Sequence, residues 1–298
     1  MASSKVAIIQ GKGILAQKGK IEGKILQKIY ERGIQILTGQ VDIASGLRSI
    51  FSPSDRPGIK VNAIAAPELS TPPAVSLPFA RLLTRIGIRE KNIVIWDRTN
   101  RELRDAGYAL NNEGEGFRIF GTDTAGAGYA SEPTIHRNIA SLFSTIQSDF
   151  VSASVSLAVL KDHGMAGVTA GMKNYYGAIH NPNKYHDDGC NPFVAELSDA
   201  PPIKSKHRLT ILDALIVQCH RGPSYHPRWA VAAETMIFSL DPVAADSVGW
   251  RLIEKLRAAK GLPTLEEDRR RPLYIQTAET LGLGRARPED IQVIEEAV

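Results

Sequence analysis

The sequence predicts an α/β fold, with a mostly parallel sheet, helices on both faces, a Rossmann-like layout and an irregular loop-rich segment. Three observations lead there. Short apolar runs alternate with helically spaced segments through the first third of the chain, and strand-like runs recur after residue 150. No stretch reaches the ~18–20 apolar residues of a membrane span. With 298 residues, 43% apolar, the chain can bury a large core. We expect one α/β unit over 1–298, divisible into a 1–110 β-α-β-α-β half and a 111–298 half carrying most of the reactive side chains.

Lys5–Gln10 (KVAIIQ) reads as the first strand, and Ile21, Ile25, Leu26, Ile29 and Tyr30 line one face of the helix after it. Gly58–Ala66 reads as a second buried strand with Lys60 and Asn62 inside it. The next helix uses Val75, Phe79, Leu82, Leu83 and Ile86 and stops at Gly87. Asn92–Asp97 (NIVIWD) is the third strand and ends in a carboxylate. Strands joined this way run parallel with right-handed crossovers, and ligands sit beyond their carboxyl ends, where Asp97 falls. Residues 111–133 read as glycine-rich loop with a strand at Phe117–Phe120. Further strands are expected at Phe150–Leu160, Leu209–Cys219 and Glu234–Leu240, then a helix from Val243 to Ala259. Residues 184–208 read as irregular, and irregular loops on a rigid sheet often carry function.

Charge and cysteine content narrow the function classes. The net charge of +4 and pI near 9.0 are mild. The lysines at 12, 18, 20, 24 and 28 and the arginines at 269–271 lack the interleaved aromatics of a nucleic-acid surface, so we read them as solvated faces and expect no nucleic-acid partner. Cys190 and Cys219 are too few for a four-cysteine zinc site or an iron–sulfur run, and one disulfide between them is the weaker reading. The N-terminus shows no leader, which makes the chain cytoplasmic as given; an exported form with its leader removed is the alternative. GKGILAQKGK is no phosphate loop, because Ile21 follows Gly19-Lys20 where Ser or Thr is needed. No nucleophile-elbow pattern occurs in VSASVSLAV.

The chemistry concentrates in LKDHGMAGVTAGMKNYYGAIHNPNKYHDDGC, Leu160 to Cys190. Six of the seven histidines lie between 163 and 226. A helix started near Gly167 would turn Val168, Met172, Tyr175, Tyr176 and Ile179 toward the sheet. It would align Thr169, Lys173 and His180 within about 40° along its edge. A lysine beside such a stripe can neutralise an anion, or act as a base where desolvation lowers its pKa. Lys161 and His163 would sit at a strand's carboxyl end near that helix's N-terminus, where free amides favour an anion. His163, His180, His186 and Asp187 are candidate ligands for a divalent metal, although their spacing matches no ligand signature. The plainer alternatives are a solvated lysine, a polar turn-rich loop over 180–190, and Asp97 and Asp213 as caps.

Together, GIKVNAIAAPELSTPP, NIVIWDRTNRELRDAGY, VLKDHGMAGVTAGMKNYYGAIHNPNKYH, DALIVQCHRGPSY and FSLDPVAADSVGW resemble the domain of unknown function 362 family across nearly the whole chain. The resemblance marks Lys60, Asn62, Thr71, Asp97, Lys161 and His163. It also marks Thr169, Lys173, Asn174, Asp213, Gly222, Pro223 and Asp241. Relatives often read Thr-His-Pro where this chain has Thr71-Pro72-Pro73, which leaves no histidine for any role there. The ferredoxin-type cysteines of some relatives are absent, so no resident iron–sulfur cluster is expected. The resulting expectation is an enzyme acting on a small oxygenated or anionic substrate by metal-assisted or Lys/His-dependent proton transfer or hydrolysis. Lys161, His163, Lys173 and Asp97 would be catalytic, while Lys60, Asn62, Thr71, Thr169, Asn174 and Asp213 would bind substrate. The alternative is a non-catalytic metal- or cofactor-holding or maturation protein serving an iron–sulfur redox partner. A homo-oligomer stays open.

Overall fold

The computed structural model describes residues 3–16 and 20–298, so the readings on Lys18 and Gly19 lie outside the described residues. The elements are β1 (Ser4–Gln10), α1 (Gly23–Thr38), α2 (Ile43–Ile50), β2 (Pro57–Lys60), α3 (Pro73–Thr84), β3 (Val94–Trp96), α4 (Asn100–Asp105) and β4 (Arg118–Ile119). The hairpin β5 (Thr134–His136) and β6 (Ile139–Ser141) follows, then β7 (Ala153–His163), β8 (Gly167–Thr169), α5 (Phe193–Asp199), α6 (Pro201–Lys204) and β9 (His207–Gln218). The chain closes with β10 (Ala230–Ser239), α7 (Pro242–Ala259), α8 (Leu273–Thr280) and β11 (Ile291–Ala297).

One sheet takes strands from both ends of the chain, in the order β11-β1-β10-β9-β7-β2-β3-β4, with β8 folded back on β7. All neighbours along this order pair in parallel except at β10, which runs against both β1 and β9. The fold is therefore α/β with a mostly parallel sheet, as the alternating pattern requires. The proposed halves interleave within it, because β7 of the second half pairs directly with β2 of the first.

Alternation along the strands creates two cores. Val155 and Leu157 of β7 and Ile211 and Leu215 of β9 pack with Leu26, Ile29, Ile34, Phe79 and Leu83 of α1 and α3. Ala158 and Leu160 of β7 and Leu212 and Ala214 of β9 pack with Val243, Val248 and Ile253 of α7 and with α5 and α8. Helix ends follow local chemistry. Gly39 closes α1 at φ 70° with its N–H on Gln35 O, and Asp241 caps α7 by accepting from the N–H groups of Val243 and Ala244. Among the described residues no helix is long and apolar enough to cross a membrane.

Three expectations need correction. The helix from Gly167 does not form. The chain turns at Gly167, φ 77°, and pairs β8 on β7 with Lys161 opposite Thr169, so β-branched Val168 and Thr169 go into a strand. Only a short 3-10 stretch, Lys173–Ala178, follows, and it ends before His180. Secondly, β2 stops at Lys60 rather than running to Ala66. The Ala63 N–H bonds the Asp97 carboxylate at 2.7 Å, and Asn62 O accepts from Thr71 N–H at 2.8 Å, closing residues 62–71 into a loop. Thirdly, the 184–208 segment contains α5 and α6, whose Val194, Ala195, Leu197 and Ile203 are buried.

Candidate functional site

The carboxyl ends of β2, β3 and β7 surround a cleft of about 230 Å³. Because β2 ends where it does, Lys60 lies at a strand end and not within the strand. Its ammonium pairs with Asp97 at 2.5 Å and also bonds Val61 O and Asn174 Oδ1. Both partners are almost fully buried. Asn174 locks the pair from above, donating to Lys60 O at 2.8 Å and Ser156 Oγ at 3.1 Å. Gly177 permits this closure: a Cβ there would lie 2.7 Å from Lys60 Nζ and 2.8 Å from Asp97 Oδ1.

The cleft's other two lysines have no carboxylate partner. Lys161 donates to Asn62 Oδ1, Ile64 O and Leu69 O at 3.2, 2.8 and 3.1 Å. Burial pushes its pKa down to about 7, opposed only by the charge of Asp97. When charged, all three of its protons are held by protein oxygens, so the ammonium is fixed in position in the cleft wall. Lys173 is held more loosely. Its neighbours are His186 Nε2 at 3.3 Å, Cys190 Sγ at 3.6 Å and the Tyr176 ring, whose centroid is 3.8 Å away. Burial lowers its pKa to about 8, with Cys190 opposing. An ammonium with so few acceptors keeps hydrogen-bonding capacity for a ligand.

The two cleft histidines take complementary tautomers. His163 Nδ1 accepts the N–H groups of Met165 and Ala166 at 3.2 and 3.1 Å, so in the neutral ring the proton is on Nε2. Burial, then the charge of Lys173, hold its pKa down to about 2. The ring is therefore neutral, with its Nδ1 lone pair taken up by the backbone. His186 is the reverse. Nδ1 faces Pro182 O at 3.1 Å and must donate to it, leaving the Nε2 lone pair for Lys173. The rings stack with centroids 5.8 Å apart.

Of the other sequence candidates, Asn62, Thr169 and Asn174 line the cleft. Thr71 does not; its hydroxyl accepts from Asn62 N–H and donates to Leu157 O, pinning the 62–71 loop to β7. Asp213 does not either. It shares the sheet face of Ile211 and Leu215, opposite Lys60, and lines a different hollow. The four-residue metal set fails to assemble, because His180 is exposed with its ring edge-on to Tyr129 and Asp187 is exposed too. Among the described residues no group of three or more His, Cys, Asp or Glu is placed to hold a metal ion, so these side chains do not fit the expected ligand role. Of the six clustered histidines only His163 and His186 reach the cleft; His207, for one, bonds the buried Tyr175 hydroxyl instead.

Sequence reasoning missed Arg98, Glu102, Tyr176 and Asn183, which also line the cleft. Arg98 had a signal, since it directly follows the strand-end carboxylate. Tyr176 was assigned to the sheet-facing stripe of a helix that does not exist. Pro223 closes one side of the cleft, and the Gly222 N–H before it bonds Asp162 Oδ2 at 2.8 Å.

The sequence model of the family described as "Domain of unknown function (DUF362)" matches residues 58–251, a span that holds the cleft's strands, both histidines and all three lysines. The chain belongs to that family. No curated protein matches it. Among solved structures, a Thermotoga maritima protein determined by the Northeast Structural Genomics Consortium is similar over 81% of this chain, at 10% identity and a TM-score of 0.40. This DUF362 chain matches 60% of that protein's length. Cys190 and Cys219, the only cysteines, are both buried free thiols.

Proposed function

We propose that this DUF362 chain is an enzyme that moves a proton on a small, oxygen-rich anion bound in the cleft. The observation that carries the reading is that three buried lysines share one small cleft and only Lys60 has a carboxylate partner. Burying an ammonium without a counter-charge is costly, and a ligand that brings negative charge removes that cost. A volume of about 230 Å³ suits a few heavy atoms, on the scale of a short hydroxy- or keto-acid.

The roles follow from the partners. Lys161, held in place by three protein oxygens, supplies positive charge below its pKa of about 7. Lys173, with a pKa near 8, is partly neutral at physiological pH and takes the proton, and the His186 Nε2 acceptor orients its amine. His163 Nε2–H donates to the oxygen on which charge develops, a task that needs a neutral imidazole. Asp97 pairs with Lys60 at the cleft floor. Proton abstraction beside a carboxylate or carbonyl, leading to isomerisation or elimination, is the class these groups serve together.

The test is exchange of substrate protons with solvent. The protein is incubated in D₂O with glycolate, lactate, pyruvate, malate and malonate, and the C–H signals are followed by NMR. We expect Lys173-dependent loss of one α-proton signal. If every acid exchanges at the protein-free rate and none binds, the reading fails.

A further inference from the structure

On the sheet face opposite Lys60, Asp213 points into a separate hollow of about 410 Å³. Asp213 is 4% exposed, and its carboxylate accepts one hydrogen bond, from the N–H of Leu215 two residues on, at 3.1 Å. Sheet register breaks on both sides of this position, between Val159 and Lys161 on β7 and between Ala232 and Thr235 on β10. Irregularities of this kind re-aim side chains beside functional sites. The walls are largely hydrocarbon, from Leu15, Ile21, Leu69, Val159 and Leu215. Among the described lining residues Glu68 adds a second carboxylate at the exposed rim, and no lysine, arginine or histidine is present.

We propose that this hollow is a second binding site that takes a small organic cation, a primary ammonium on a short apolar stem. The ammonium meets Asp213, and the stem lies against Leu69, Val159 and Leu215. A bare divalent metal would require several more oxygen ligands than these walls provide. Burial pushes the Asp213 carboxyl up to about 6, with only the Leu215 N–H opposing. Among the described residues the titratable groups around it are Glu68 and Tyr225 in the hollow, Tyr30 from α1, and Tyr108 beyond α4, and none of these is cationic. An arriving ammonium supplies the missing counter-charge. This inference is independent of the reaction proposed for the cleft.

The test is calorimetric titration of the full chain with n-butylammonium, n-butanol and butyrate. At pH 8 butylammonium should bind at least tenfold tighter than butanol, and butyrate should not compete. Between pH 7 and pH 5 its affinity should fall by about tenfold as Asp213 takes up a proton. Asp213→Asn should abolish the preference for the cation. If that variant does not fold, Ile216→Trp, which fills the hollow from its half-buried wall and keeps the carboxylate, should block binding instead. Equal affinity for butanol and butylammonium, no binding by the wild type, or a preference that survives Asp213→Asn would each overturn the proposal.

Discussion

The cleft and the hollow lie on either side of the loop 62–71, with Lys60 of the one and Asp213 of the other on opposite faces of the sheet. Leu69 and Ser70 wall the hollow, while the carbonyls of Ile64 and Leu69 hold Lys161 in the cleft. Each site buries charge, with opposite sign. The cleft gathers Lys60, Lys161, Lys173 and Arg98 against Asp97 and Glu102, and the hollow has Asp213 and Glu68 with no described base. Other buried charges show what a structural role looks like. Asp246 accepts the N–H groups of Gly171 and Met172 and the Tyr274 hydroxyl, and Asp162 meets Arg270 and Gly222. Among the described residues Asp246 has no counter-charge either, but three donors satisfy it; Lys161, Lys173 and Asp213 lack an opposite-charge partner and also line open space. Burial without a counter-charge marks a site where the group also faces such a space.

The largest expected effect tests the paired side of this contrast. Asp97→Asn leaves Lys60 buried without its partner, so urea denaturation should show a loss of about 3–5 kcal/mol. Adding Lys60→Met should recover much of it. A loss under ~1 kcal/mol would mean the pair is as dispensable as an exposed one.

His163→Ala should lower substrate-proton exchange by about 10²–10³-fold, the cost of one lost oxyanion donor, with little change in anion affinity. His163→Gln keeps a donor and should recover most of the rate. If Gln behaves like Ala, the neutral-donor assignment is wrong.

Lys173→Met should weaken anion binding and exchange by about 10²-fold while stability changes by less than ~1 kcal/mol, because methionine fits the apolar stem's place. Unchanged binding in the calorimeter would return Lys173 to the role of a bystander.

The smallest effect is in pH. An anion needs charged lysines, so affinity should fall about tenfold or more between pH 6.5 and pH 9, as Lys161 and Lys173 lose protons near 7 and 8. Stability should move the other way. Unfolded lysines titrate near ~10.5, so from about pH 7 to that value the unfolded chain binds more protons. These two lysines therefore oppose folding at low pH, and their penalty is lifted as pH rises through that window. Stability measured on Lys161→Met should lose part of this slope.

The sequence carried the fold well where periodicity was strong. NIVIWD, the long runs that became β7 and β9, and the helix from Pro242 all lie close to where they were expected. It failed where long-range contacts decide. Val168 to Ile179 has helical spacing, yet β8 pairs with β7 and Gly177 comes to lie close against Lys60 and Asp97. The hairpin β5–β6 and the edge strand β11 carried too little apolar pattern to be read. For the site, strand-end placement found Asp97, Lys161 and His163, and the family resemblance supplied Lys60, Asn62 and Asn174. No sequence cue distinguishes the face Asp213 takes from the face Lys60 takes; that depends on strand register and on where β2 stops. The tautomers of His163 and His186 depend on backbone groups that only the folded turn presents.

The most direct test of the two-site account is an NMR titration of one isotope-labelled sample with malonate and then with n-butylammonium. The account predicts that malonate shifts signals of Asn62, His163, Lys173 and Asn174, while butylammonium shifts those of Ser70, Leu215 and Ile216. If both ions move the same residues, or if malonate moves the Asp213 side and leaves the lysines untouched, the assignment of separate anion and cation sites is contradicted.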